Sequence, residues 1–252
     1  MCRRFSFFVL VAVFVAATAV ARDRRDELTV DLRFAPQEGV DTNSPDLSAS
    51  MLERPVTLRF EDGRDDDALV IGHGTNDDDQ RFPIRASTDV LAYVRDTLTQ
   101  VAADWDVKVE DPADRVLTIR LTRFYVDEGN KAVGSVYASE VKMTFALADK
   151  GGKRLMEGAA SGSAHRYGRA RSGDNCNEVL SDALKEAYAN VLSDPRLQEA
   201  WVSGKSSGGG SGGSAKPESV EERLRKLDDL LKKGLITKEE YDKKRAEILK
   251  DV

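Results

Sequence analysis

VKMTFALADKGGKRLMEGAASGSAHR, residues 141–166, decides the fold. Val141, Met143, Phe145 and Leu147 alternate with small or polar residues, the two-residue period of a strand with one buried face. Asp149 leads into Lys150-Gly151-Gly152-Lys153, a hairpin turn. The chain then returns from Leu155 to about Arg166 through Gly, Ala and Ser. A strand of that composition either lets a helix approach closely or lies at a sheet edge.

Working outward, the strand leading into the turn starts near Val133, and a long one precedes it from Val116 to Val126, with Leu117, Ile119 and Leu121 on one face. Together these make a three-strand meander. Upstream, Val56, Leu58 and Phe60 alternate as a strand, Val107-Lys108-Val109 reads as a short one, and Leu28–Phe34 as a short strand running into an extended segment. Val90, Leu91, Val94, Leu98, Val101 and Ala102 recur at helical spacing behind Ser87 or Thr88, and that helix closes near Trp105. Asn175 with Glu178 three residues on forms a capping box for a second helix to about Ser193, and Asp194-Pro195 opens a last turn holding Leu197 and Trp201. The order predicts an α+β domain, two helices on one face of a mostly antiparallel sheet.

Downstream, residues 203–217 (SGKSSGGGSGGSAKP) are a flexible linker with a reach of about 20 Å. The Lys and Ala that interrupt it mark a natural linker rather than an engineered scar. Residues 218–252 then read as a helical hairpin. Leu224, Leu227, Leu230 and Leu231 line one face of the first helix, and Gly234 supplies its C′ stop. Leu235 folds back on Leu230, Ile236 staples to Tyr241 across the Thr237–Glu240 capping box, and Ile248 and Leu249 continue the second stripe. The run Lys233-Gly234-Leu235-Ile236-Thr237-Lys238-Glu239-Glu240-Tyr241 resembles the short C-terminal domain, SHOCT. That resemblance implies a terminal module that mediates association and has no chemistry of its own. Physics agrees: helices under about 15 residues are marginal alone, and units below about 40 residues need external support. The apolar stripe is therefore expected to bury against a second copy, another envelope protein, or the chain's own main domain.

At the other end, Met1–Ala21 has a basic start (Arg3, Arg4), an apolar run from Phe5 to Ala17, and Ala19-Val20-Ala21 before Arg22. These are the parts of a cleaved secretory signal. Kept uncleaved, the run would be an anchor, although it is shorter than the span of about 17 residues a membrane helix needs. The expected compartment is the periplasm or the exterior, with no stable membrane insertion after cleavage. No cysteine ends the apolar run, which argues against lipid attachment by the usual bacterial route. Cys2 leaves with the signal, so Cys176 is the one cysteine of the mature chain. Its spacing to Leu180, Leu184, Ala187 and Val191 marks it as a small core residue. Without the signal, 36 basic residues face 44 acidic ones, a balance of −8 that disfavours nucleic acid or anionic membrane as a partner.

Candidate sites are few. Asp62, Asp65, Asp66, Asp67 and the run Asp77-Asp78-Asp79 offer oxygen ligands, but their spacing is not that of a calcium loop and solvated turns are the simpler reading. His73 and His165 are the only histidines. Arg166, Arg169 and Arg171 lead into the helix at Asn175, where a helix N-terminus favours anions, or they balance charge in an acidic protein. Outside the Gly/Ser linker there is no G-x-S-x-G elbow, and there is no Cys-His pairing and no Gly-rich phosphate loop, so the sequence points to no reaction and calls for no metal or cofactor.

Asp62-Gly63-Arg64 before Ile71-Gly72, the helix from Asp89 to Ala103, the strand Leu117–Tyr125, and the ending Asn177, Leu180, Leu184, Leu192 and Ser193-Asp194-Pro195-Arg196-Leu197 resemble the YajG family of bacterial outer-membrane lipoproteins. That resemblance implies an envelope domain over residues 22–202, with its core at 56–201, in a family without an assigned activity. This chain departs from the family in lacking the lipidated cysteine and in adding the linker and hairpin. The expected function is a non-enzymatic binding or assembly module. The alternative is a periplasmic carrier of a small ligand or lipid held between sheet and helices.

Overall fold

A computed structural model describes residues 27–39, 44–65, 67–76, 78–130, 134–168 and 171–206. The signal segment and the C-terminal hairpin, with its nine apolar residues from Leu224 to Leu249, lie outside them, as do Arg169, Asp66 and Asp77.

Three long strands form the backbone of the domain, β5 (Arg115–Asn130), β6 (Ser135–Asp149) and β7 (Arg154–Gly168). They pair antiparallel along almost their whole length, with the turn after Asp149 where the sequence places it. Asp149 Oδ1 accepts from the amides of Gly151 and Lys153, at 2.9 and 3.0 Å, and so closes that turn. Four shorter strands complete a mixed seven-stranded sheet: β1 (Leu28–Val30), β2 (Thr57–Asp62), β3 (Val70–Thr75) and β4 (Arg81–Ala86). The order is β1-β4-β3-β5-β6-β7, and β2 shares the edge of β5 with β3. β2 runs parallel to the first half of β5, from Thr57 opposite Val116 to Asp62 opposite Leu121, and β3 parallel to its far end, from Gly72 opposite Val126.

The helices are α1 (Ala49–Leu52), α2 (Val90–Asp104), α3 (Gly173–Leu192) and α4 (Pro195–Ser203). α2 and α3 cover one face of the sheet, as expected. Leu98, Val101 and Ala102 of α2 and Val179, Leu180, Leu184 and Val191 of α3 bury against Leu117, Ile119, Val141, Met143 and Leu147. Trp201, Tyr188 and Met143, each less than 2% exposed, fill the space between the layers.

Several local expectations change. Asp89, not Ser87 or Thr88, caps α2, its side chain accepting from Ala92 N at 2.9 Å. α3 starts earlier than the Asn175–Glu178 pattern suggests: Ser172 caps it, accepting from Asp174 N, and Asn175 is a buried residue of the first turn. Val107-Lys108-Val109 makes a single bridge, Val56 to Val109, instead of a strand. The hairpin β3–β4 has no counterpart among the sequence expectations, which cover only the acidic runs beside it.

β7 meets both halves of its expectation. It is an edge strand, and α3 approaches it closely at Gly162, where an added Cβ would lie 2.5 Å from Ala187 N and closer still to the Ala183 carbonyl oxygen. The helix also masks part of the open edge. Glu186 accepts from Ser163 N at 2.6 Å and Asn190 donates to the Ser161 carbonyl at 2.8 Å, satisfying backbone groups that would otherwise invite another strand.

Candidate functional site

The sheet end nearest the α3 N-terminus holds a buried polar system. The alternation of β5 puts Leu117, Ile119 and Leu121 inward, and a bulge between Leu121 and Arg123 shifts the parity. Phe124, Val126 and then Glu128 turn inward beyond it. The Glu128 side chain is fully buried, and its carboxylate accepts from Ser135 Oγ at 2.9 Å and Tyr137 OH at 3.3 Å. Arg171 Nε reaches both of its oxygens at 3.1 Å. The same guanidinium donates to the Thr75 carbonyl at 2.8 Å and lies 4.4 Å over the Phe82 ring. One arginine thus ties β3, β4 and β5 to the residue that precedes the α3 cap. Ser172 N donates to Tyr137 OH, and burial pushes that phenol above its ordinary pKa. Gly74 is needed here, because a Cβ would collide with Phe82 and come within 2.8 Å of Glu128.

Of the sequence-derived anion candidates, Arg171 is engaged by Glu128 and Arg166 forms an ion pair with Glu178 of α3. Both guanidiniums therefore balance carboxylates of the domain. His73 lies on β3 with Nδ1 2.9 Å from Tyr125 OH, and His165 is exposed on β7. Asp62 pairs with Arg64 and Asp67 with Arg85, and those bonds hold both carboxyls below the usual carboxylate range. Among the described residues, no three His, Cys, Asp or Glu groups are arranged to hold a metal ion.

Cys176 sits in α3 at 0% exposure. Burial, reinforced by the Glu128 charge, pushes its thiol up to about 12. A native thiol so placed should be silent toward a disulfide reagent at pH 8 and react fully in denaturant. A fast native reaction would contradict the placement. Because the folded pKa lies above the ordinary 9.0, the thiol's contribution to stability is complete below about pH 9 and is lost as pH rises toward 12.

A second polar system was not foreseen from the sequence. Asp31–Gln37 crosses α3 as an extended arm, and its amides at 33, 35 and 37 each find a side-chain acceptor. Arg33 N donates to Asn177 Oδ1 at 3.2 Å, Ala35 N to Ser181 Oγ at 3.0 Å and Gln37 N to Asp182 Oδ1 at 3.2 Å. Asn177 Nδ2 returns a bond to the Asp31 carbonyl at 3.0 Å, Gln37 Nε2 adds 2.6 Å to Asp182 Oδ2, and Arg33 pairs with Asp174. Tyr93 OH of α2 lies 3.3 Å from Ser181 Oγ, so the arm seals the seam between the two helices. Pro36 falls between two donating positions, where a missing N–H costs nothing.

The linker departs from a fixed point. Gly204 caps α4 at φ +65°, and Arg115 Nε donates to the Trp201 carbonyl at 3.2 Å. The buried Trp201 donates through Nε1 to the Arg54 carbonyl at 3.2 Å.

Solved structures similar to this chain include protein XCC0632 from Xanthomonas campestris, at 11% identity and TM-score 0.44, covering 69% of this chain and 96% of that one. The minor lipoprotein of Acinetobacter baumannii is similar at 11% identity and TM-score 0.33, covering 57% and 92%. Lipoprotein GNA1162 of Neisseria meningitidis is similar at 12% identity and TM-score 0.28, covering 47% and 87%. No curated protein matches the chain. Two family models do: the short C-terminal domain over residues 222–249, and the family described as uncharacterized lipoprotein over residues 44–201, which takes in the sheet from β2 onward, α1 to α3 and most of α4. The chain belongs to that lipoprotein family of exported envelope proteins and carries a short C-terminal domain behind its linker.

Proposed function

We propose that this envelope protein works in the periplasm as a non-enzymatic adaptor. Its α+β domain is the body that meets an envelope component, and the C-terminal hairpin joins it to a second copy or to another envelope protein. The observation that carries this reading is the pairing of two modules: a lipoprotein-family domain followed by a capped, anchored Gly204, and a short C-terminal domain beyond a Gly/Ser linker. A linker of that composition would give the hairpin a reach of about 20 Å, a useful property for capturing a partner. The apolar residues Leu224, Leu227, Leu230, Leu231, Leu235, Ile236, Tyr241, Ile248 and Leu249 would form the contact. The carrier alternative needs room between sheet and helices, where Trp201, Tyr188 and Met143 are packed.

The test is size exclusion with light scattering on Arg22–Val252 beside a chain ending at Gly204. The full chain is expected to form a larger assembly than the shortened one. Two monomers would remove self-assembly and leave a different envelope protein as the hairpin's partner. Equal oligomers would move the association to the α+β domain and overturn the role given to the hairpin.

A further inference from the structure

The arm Asp31–Gln37 is bound the way a peptide ligand is bound. Three alternate backbone amides are read by Asn177, Ser181 and Asp182, and the contacts at 35 and at the Asp31 carbonyl ignore side-chain identity. Asn177, Ser181 and Asp182 are 2%, 0% and 2% exposed with the arm in place, so an empty groove would uncover a ready-made row of polar groups. Val30 and Leu32, buried on the same arm, seat it in the core.

From this geometry we infer that the groove of α3 is an exchangeable receptor, and that its other occupant is the arm of a second copy. Two copies would then assemble by trading residues 28–37. The resident segment is the ligand whose fit the structure displays, and every copy carries the same one. Exchange keeps every arm contact and changes only which chain supplies it, the low-cost route to a dimer. The chain gives the necessary slack. Among the described residues, the next side-chain-supported anchor after Gln37 is Asp46, whose carbonyl accepts from Gln198 Nε2 at 2.8 Å. Those nine residues span up to about 30 Å when extended, on the order of a small domain's diameter.

The experiment is complementation between two full-length variants. Ala35→Pro removes the amide that reaches Ser181 and leaves the groove intact. Asn177→Ala with Ser181→Ala removes two acceptors and leaves the arm intact. The second chain is labelled with ¹⁵N, the two are refolded together at high concentration, and species are counted by native mass spectrometry. Arm exchange predicts a heterodimer at least tenfold above either homodimer, because only there does an intact arm meet an intact groove. Monomers alone would overturn the inference. So would homodimers and heterodimer in a 1:2:1 ratio, since association through the C-terminal hairpin is indifferent to the arm. If Ala35→Pro fails to fold, an Arg33→Ala/Gln37→Ala arm, which keeps all its amides, replaces it in the same mixture.

Discussion

Gly162→Val should leave too little stability for the domain to survive ordinary assay temperatures. Valine suits a strand by propensity, yet here its Cβ would land against the backbone of α3, 2.5 Å from Ala187 N and closer to the Ala183 carbonyl oxygen. Helix backbone cannot turn aside as a side chain can. To admit even a methyl, α3 must lift off β7, which also breaks the Glu186–Ser163 and Asn190–Ser161 bonds that mask the edge. The expected loss exceeds about 4 kcal/mol, in the exceptional range for one substitution. Gly129→Ala is the control, since its nearest neighbour would be 3.8 Å away, and it should stay within about 0.5 kcal/mol. Denaturant titrations of both variants measure the contrast, and near-native stability for Gly162→Val would refute the close packing of α3 on β7.

Arg171→Ala should be the second most damaging change. It strips the guanidinium from the fully buried Glu128 carboxylate and also removes the bond to Thr75 and the stack on Phe82. Removing one partner of a buried pair costs about 3–5 kcal/mol. Because Arg171 is itself partly exposed, about 3 kcal/mol is expected, or roughly 10 °C in Tm for a domain of this size. Much of that loss is the stranded charge, so Glu128→Gln in the Arg171→Ala background should recover a large part of it. A double-mutant cycle in guanidinium decides. A double variant no more stable than Arg171→Ala would show that the arginine acts through Thr75 and Phe82 rather than through Glu128.

The meander, the two covering helices and the edge character of β7 were legible because each rests on a local rule: period two, period 3.6, a Gly-Gly turn, a strand too small to fill space. The β3–β4 hairpin was not. Gly72, Gly74 and Pro83 lower its strand signal, and the two glycines are there because a Cβ would strike the Val126 carbonyl and the Phe82 ring. Only the folded neighbours explain them. The parallel seating of β2 and β3 on one edge of β5 likewise leaves no periodic trace. Glu128 escaped notice for a related reason. Unbroken alternation from Leu121 points Arg123 and Tyr125 inward, and only the bulge brings Phe124, Val126 and Glu128 round. The expected strand Leu28–Phe34 stops at Val30, because the next residues bond to Asn177, Ser181 and Asp182 of α3, polar residues that no period of the sequence marks as acceptors. The true cap, Ser172, was hidden by a capping box that the sequence spells and the core overrides.

The arm also bears on how such a protein crosses a membrane. Its three anchoring amides bond to residues 144, 146 and 145 positions further along. β1 can pair with β4, but the arm that follows it has none of these three acceptors until the part of the domain made nearly last is present. Closing a loop of that length is entropically costly and slow, and local contacts cannot stand in for it. A chain emerging from an export channel amino end first would stay open, threadable and without a finished core until α3 had followed it out. The seal between arm and helix is thus the last part of the domain that such a chain would close.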